Sequence, residues 1–280
     1  MGGRGRCTWP SKGSRGLRFR STNLTNHTNK LNDLYLLRCG MRYLNIAFPD
    51  PAHNLALDEV LLDEAEAGHG EAVRIWESPV HFVVLGLSQI LAKEVHEPQC
   101  QQDSVPILRR CSGGGCVLQG PGCLNYSLVL SHTERPELRT INDSYRHILA
   151  RLCQALQQRG VTAVHKGISD IAIEDRKISG NAQKRKRTHL LHHGTLLYAM
   201  TPERIERYLR EPDDRPPYRG TRAHAAFVQT VPLTAHELTA AIREAYSVQT
   251  PPEKPHRHEL EAVTALVNEK YQTEDWIRRR

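Results

Sequence analysis

Apolar and polar residues settle into readable periods from Met41 onward. Tyr43–Phe48 reads as a strand and Asp50-Pro51 as a turn. Asn54–Glu66 then carries Leu55, Ala56, Val60, Leu61 and Leu62 at helical spacing, with Gly68 and Gly70 as the stop. Val73–Trp76 and His81–Leu85 are short β-type runs around the Ser78-Pro79 turn. Ile107–Arg110 leads into a glycine cluster, and Cys116–Leu118 and Leu124–Leu130 flank the break Gln119-Gly120-Pro121-Gly122. Asp143 is the expected cap of a helix reaching about Gln158, with Ile148, Leu149, Leu152 and Leu156 on one face and Gly160 behind it.

Val161–His165, Asp170–Glu174, Lys177–Gly180 and Leu190–Met200 read as further strands. After Met200 the texture changes. Pro202 opens a short helix, Glu211–Gly220 is a Pro- and Arg-rich loop, and Thr234-Ala-His-Glu237 is a capping box for a helix to about Tyr246. A last helix is expected over Glu259–Tyr271. Strands mixed with helices, without regular βαβα alternation, predict an α+β fold: a mixed sheet flanked by helices, with a short helical C-terminal segment. Three regions follow: an extension over 1–40, a core over 41–200, and a segment over 201–280 that completes or caps it.

Charge reinforces the first boundary. The first forty residues hold eight Lys/Arg and one acid, which accounts for the whole net charge of +7; the other 240 residues are balanced. Nucleic-acid binding announces itself as a basic patch on a folded surface, and the body has no excess to supply one. The extension lacks an apolar h-region, so a secretory signal is not expected. A disordered or upstream segment is the plainest reading, with a transit peptide or a basic arm as alternatives. No apolar run approaches the roughly 18–20 residues that span a bilayer. Seven cysteines without a CxxC pair point to reduced thiols in a cytoplasmic compartment.

Chemistry is densest in Arg109-Arg110-Cys111-Ser112-Gly113-Gly114-Gly115-Cys116-Val117. Consecutive glycines let the backbone approach a ligand closely and aim N–H groups at it, while Arg110 and Ser112 add a cation and a hydroxyl suited to phosphate or carboxylate. The spacing fits neither a phosphate-binding nucleotidase loop nor a dinucleotide fingerprint. A second cluster, Lys166–Gln183, is followed by His192-His193-Gly194-Thr195-Leu196-Leu197. Neighbouring side chains on a strand face opposite ways, so His192 and His193 are not a zinc pair. Lys184–Arg187 reads as a hairpin tip.

Taken together, Arg-Arg-x-Ser-Gly-Gly-Gly, the Ser169-Asp170 pair, Arg176-Lys177-Ile178-Ser179-Gly180-Asn181-Ala182 and His193-Gly194-Thr195-Leu-Leu resemble the lipoate–protein ligase family of the biotin/lipoyl ligase and octanoyltransferase superfamily. The resemblance implies that a carboxylate of the lipoate or octanoate kind attacks the α-phosphate of ATP, and that the acyl-adenylate then passes to a lysine of a lipoyl carrier domain. That carrier would be a 2-oxoacid dehydrogenase acyltransferase subunit or a glycine-cleavage H-type protein. It implies Lys177 as the cation that stabilises both transition states, Asp170 as the holder of Mg²⁺, and Arg110, Ser112, Gly113, Gly114, Gly115, Val117, Gly180, Asn181, Ala182, His193, Gly194 and Thr195 around the adenylate.

Departures keep alternatives open. Gln119-Gly120 stands where many ligases have His-Asp, and Cys123 where Asn is common. Gln119–Leu124 also resembles the corresponding segment of octanoyltransferases, which pass an acyl group from a carrier thioester through a cysteine. Both of that group's cysteine positions are empty here, leaving Cys111, Cys116 and Cys123 as fallbacks, while Cys153 reads as core. A lipoyl-binding homologue without activity is a third reading. The 80 residues after Met200 look short for the mobile accessory domain of bacterial ligases, so a separate accessory protein is a candidate partner. Arg219, Arg222 and His224 either cap the site or brace the sheet.

Overall fold

The computed structural model describes residues 41–280, which form one compact unit. In chain order the elements are β1 (Arg42–Asn45), α1 (Pro51–Glu66), β2 (Ala72–Trp76), β3 (Phe82–Leu85), α2 (Leu91–Glu94), α3 (Glu97–Gln102), β4 (Ile107–Arg109), β5 (Val117–Gln119), β6 (Cys123–Ser131) and α4 (Ile141–Gln157). They continue with β7 (Val164–Lys166), β8 (Asp170–Ile173), β9 (Arg176–Arg185), β10 (His189–Leu197), α5 (Pro202–Tyr208), α6 (His224–Phe227), α7 (Ala235–Ala245), α8 (Arg257–Leu266) and α9 (Glu274–Ile277). Expectations that fall on residues 1–40 lie outside the described residues.

A seven-stranded sheet runs β1-β2-β6-β10-β9-β8-β7, and a three-stranded sheet runs β4-β3-β5. β1 and β2 pair in parallel, as do β3 and β4; the remaining pairs are antiparallel. Strand alternation divides the large sheet's side chains between two cores. Leu128, Leu130 and Leu190 pack under α4 and α7, while Val129 and Leu191 pack under α1. The expected mixed sheet flanked by helices is therefore present.

α4 is amphipathic, and its apolar stripe of Ile148, Leu149, Leu152 and Leu156 is buried against the sheet as expected, with Cys153 in the same core. α1 is different. It is enclosed by the sheet, α8 and the small sheet, so even Asn54 and Asp58 are buried. A third core, beneath α5 and α6, closes the small sheet against Leu197 and Met200.

Several boundaries correct the sequence reading. Thr140, not Asp143, caps α4: its hydroxyl accepts from the Asp143 amide at 3.1 Å and donates to the Asp143 carboxylate at 2.7 Å. β9 extends from Arg176 to Arg185, well beyond Gly180, because β10 pairs along it from Asn181 to Arg185. Val161–Ala163 is not strand. α8 ends at Leu266, one wider turn reaches Tyr271, and α9 follows unforeseen, as do α2 and α3. The hairpin tip is Lys186–Thr188; Lys184 and Arg185, expected in it, belong to β9 and pair with β10. Lys186 is ion-paired with Asp63, and Glu66 accepts from the amides of Thr188 and His189 at 3.1 Å.

Candidate functional site

The site lies where the glycine loop between β4 and β5 meets the α1-facing side of β9 and β10. Strict alternation would put Lys177 and Gly180, three apart, on opposite faces of β9. The register shows why they share one: Ile171 pairs with Ser179 but Ala172 pairs with Lys177, leaving Ile178 as an extra, bulged residue. The bulge turns Lys177 onto the face of Asp170 and Gly180. Lys177 Nζ sits 2.8 Å from Asp170 Oδ1, and the Tyr218 hydroxyl donates to Asp170 Oδ2 at 2.8 Å. Gly180 leaves the room this requires, since a Cβ there would fall 2.8 Å from Lys177 Nζ.

A second cluster ties the loop to the core. Ser112 Oγ is 2.6 Å from His193 Nε2, and His193 Nδ1 faces Asp58 Oδ2 at 3.4 Å. Asp58 also accepts from Ser127 at 2.7 Å and from the fully buried Arg74 at 2.8 Å. Burial alone would raise the Asp58 carboxyl; Arg74, His193 and Ser127 outweigh it and hold the carboxyl below its ordinary range. Arg110 is spent within the loop, donating to Ser112 Oγ at 3.0 Å and Gly115 O at 2.9 Å. It therefore fixes the loop's shape while its guanidinium forms part of a cavity wall. On the opposite strand face His192 is buried, and burial pushes its imidazole down to about 3. The two histidines point apart, as alternation requires.

Two cavities meet at Lys177, Gly180 and Thr195. The narrower, about 130 Å³, runs between the loop and α1. It is lined by Arg110, Gly114, Gly115, Val117, Asn181, Ala182, His193 and Gly194 among the expected residues. The larger, about 410 Å³, opens beside Asp170 under the 209–228 segment. Ser112 and Gly113 line neither; Ser112 is 1% exposed and reaches the narrow cavity only through its contact with His193. Asn181 is held by Tyr126, whose hydroxyl donates at 2.5 Å, and by its own donation to Ser169 O at 2.8 Å. Gly194 is obligatory there, because a Cβ would overlap Asn181 Oδ1 at 1.8 Å.

Sequence reading missed Leu55, Asp58, Trp76, Asn125, Tyr126 and Ser127 on the narrow cavity, and Tyr218 at Asp170. Asp58, an acid among the apolar positions of α1, was the one visible signal. Gln119, set aside as a departure, also lines the narrow cavity. Arg219 and His224 line the larger cavity and brace its roof: Arg219 pairs with Glu211 at 2.5 Å and lies 4.7 Å over the Phe227 ring. Cys111 and Cys123 are buried thiols pushed up to about 12, and burial drives Cys116 higher still.

Residues 50–245 match the model of the lipoyl protein ligase A/B catalytic domain. The chain belongs to this family. A lipoate-protein ligase A homologue of Aeropyrum pernix is 32% identical over 158 residues, covering 56% of this chain and 57% of that protein. The chain thus spans little more than half the length of this archaeal relative. The octanoyltransferase LipM of Brevibacillus brevis is 24% identical over 273 residues, covering 85% of this chain and 99% of LipM. The fold matches that of a bipartite lipoate protein ligase from Thermoplasma acidophilum, described with its E2 lipoyl domain. Here the TM-score is 0.75 at 22% identity, over 86% of this chain and 97% of the other. Lipoyl-family membership leaves two activities in view, ligation and octanoyl transfer. Among the described residues no helix is long and apolar enough to cross a membrane.

Proposed function

We propose that the protein is an ATP-dependent lipoate–protein ligase. The observation that carries the reading is Lys177 at the junction of the two cavities, among the described residues the one cation shared by both linings. The narrow cavity, walled by Leu55, Trp76, Val84 and Val117, suits the acyl chain of lipoate or octanoate; the larger one suits the nucleotide.

With the acid's carboxylate at the junction, one of its oxygens attacks the α-phosphorus of ATP. A P–O bond forms, pyrophosphate leaves, and Lys177 Nζ counters the charge gathering on the phosphate oxygens. In the second step a carrier lysine amine attacks the acyl carbonyl. The amide forms, AMP leaves, and the same ammonium stabilises the developing oxyanion. Asp170 fits a Mg²⁺ site of the kind that takes one carboxylate with water and phosphate oxygens: it is a hard oxygen donor beside the larger cavity, 6% exposed. An ion held there would neutralise phosphate charge. The partner is a lipoyl carrier domain, and the unpaired state of all five described cysteines accords with a reducing, cytoplasmic compartment. Residues 201–280 serve as part of the site, since Tyr218 and Arg219 belong to its roof. An accessory protein remains a proposed partner for the second step.

The octanoyltransferase reading, favoured by the likeness to LipM, needs a thiolate. Cys111 and Cys123 sit too high to supply one near neutrality, and no cysteine follows Cys153. Two incubations separate the readings. Turnover with ATP, Mg²⁺ and lipoate, unaffected by replacing Cys111, Cys116 and Cys123 with serine, supports ligation. Turnover from octanoyl carrier protein without ATP, abolished by one of those replacements, selects the transferase.

A further inference from the structure

Away from the cavities, the C-terminal end of α1 meets the start of α8 in a cluster of nitrogen and oxygen donors. Glu64 lies in the last turn of α1. His69 follows in the turn bounded by Gly68 and Gly70, whose φ values of 98° and 92° carry the chain back over the helix end. His258 comes from the first turn of α8. Both imidazoles converge on one carboxylate oxygen: His69 Nδ1 contacts Glu64 Oε2, and His258 Nε2 is 2.9 Å from the same atom. The three donor atoms all lie within 4.8 Å of one another.

The neighbouring acids of α1 are matched differently. Glu59 pairs with Lys270 at 2.7 Å, Asp63 with Lys186, and Glu66 is saturated by the amides of Thr188 and His189. Glu64 faces imidazoles instead of a permanent cation. That leaves its carboxylate available to a metal together with two neutral nitrogens. Two nitrogens and one carboxylate match the borderline donor set of zinc, not the all-oxygen set of magnesium or calcium.

We propose that Glu64, His69 and His258 form a zinc-class metal site that clips α8 to α1. Zn²⁺ enters with the histidines neutral and replaces their contacts to Glu64 by three coordinate bonds, with water completing the tetrahedron. Side-chain exposures of 19%, 59% and 55% for Glu64, His69 and His258 leave a direct entry path. Because the ligands come from two elements far apart in sequence, the ion binds the folded chain in preference to the unfolded one and stabilises it.

The test is titration of the full chain, carrying no histidine tag, with Zn²⁺ alone. Bound metal is counted after gel filtration and thermal unfolding is followed with and without zinc. One saturable equivalent and a zinc-dependent rise in Tm are expected. His69→Ala and His258→Ala should each lose that equivalent and the rise, with affinity falling at least about tenfold, since loss of even an outer-shell partner costs that much. Glu64→Gln should weaken binding in the same way, while His236→Ala on α7 should leave it unchanged. The three site side chains are partly or largely exposed, so unchanged zinc-free Tm values certify that the variants fold; a variant that fails this check is replaced by the asparagine substitution. The absence of a saturable equivalent, or its retention by the His69 and His258 variants, overturns the site.

Discussion

Ser112 Oγ lies 2.6 Å from His193 Nε2, so the glycine loop is held to the sheet through a ring that Asp58 and Arg74 hold from behind. Ser112 lines neither cavity, so under the proposed ligase activity its role is positioning. Ser112→Ala should fold but lose two buried hydrogen bonds, the one with His193 and the one from Arg110, each worth about 1–3 kcal/mol, so Tm should fall by some degrees. The expected signature is a raised KM for the acyl acid with a smaller change in kcat. A purely structural role would lower Tm in the same way but leave KM unchanged.

Asp58 carries more of the fold. Asp58→Asn leaves the guanidinium of Arg74, which is fully buried, without a charged partner. Breaking one side of such a pair costs about 3–5 kcal/mol. At roughly 2–4 °C per kcal/mol for a chain of this size class, Tm should fall by about 10 °C. Asp58→Leu, of similar bulk, should be no milder, because the orphaned charge is the cause.

Gly180→Ala separates geometry from stability. The atoms a Cβ would meet, Lys177 Nζ and Cε at 2.8 and 2.9 Å, are the free end of a flexible side chain. The fold should absorb the change, but Lys177 should not keep its position. Tm should move by a few degrees at most, whereas turnover should fall by about tenfold or more, as misplacement of a charge-stabilising group does. Gly194→Ala meets Asn181 itself and should lower both.

His192 predicts an acid-sensitive fold. Its imidazole sits at about 3 in the folded chain against an ordinary value near 6.5. As pH falls below about 6.5 the unfolded chain takes up a proton that the folded chain refuses. Stability is therefore lost progressively toward pH 3, at up to roughly 1.4 kcal/mol per pH unit from this group. Gln183 Nε2 approaches His192 Nδ1 at 3.1 Å, and Nε2 of the ring has no partner among the described residues. His192→Phe should flatten the stability–pH slope between pH 6.5 and 4. An unchanged slope would assign the acid sensitivity to other groups.

Much of this molecule is legible in its sequence, for local reasons. The Thr234–Glu237 capping box, the amphipathic stripe of α4 and the hairpin tip are signals within a few residues, and each appears in the structure. The clustered motifs likewise converge on adjoining cavities. What resists reading depends on distant partners. The bulge at Ile178 arises from pairing with β8, and without it periodicity puts Lys177 on the wrong face. Asp58 is an acid on the buried face of α1, and its partners Arg74, Ser127 and His193 all come from strands distant in sequence. Tyr218 reaches Asp170 across 48 residues of chain, from a loop whose composition announces only a turn.

Removal of residues 1–40 should leave Tm and turnover near those of the full chain, because the family match begins at residue 50. A marked loss of turnover would give the basic extension a role in catalysis or carrier docking.

The most direct test of the account is to quantify acyl-adenylate and pyrophosphate formed from ATP, Mg²⁺ and lipoate by the wild-type chain and by Lys177→Ala. The account predicts burst formation of both products by the wild type and loss of at least about a hundredfold in the variant, the scale seen when one stabilising donor is removed from a developing oxyanion. Adenylate formation by Lys177→Ala at near wild-type rate would contradict it.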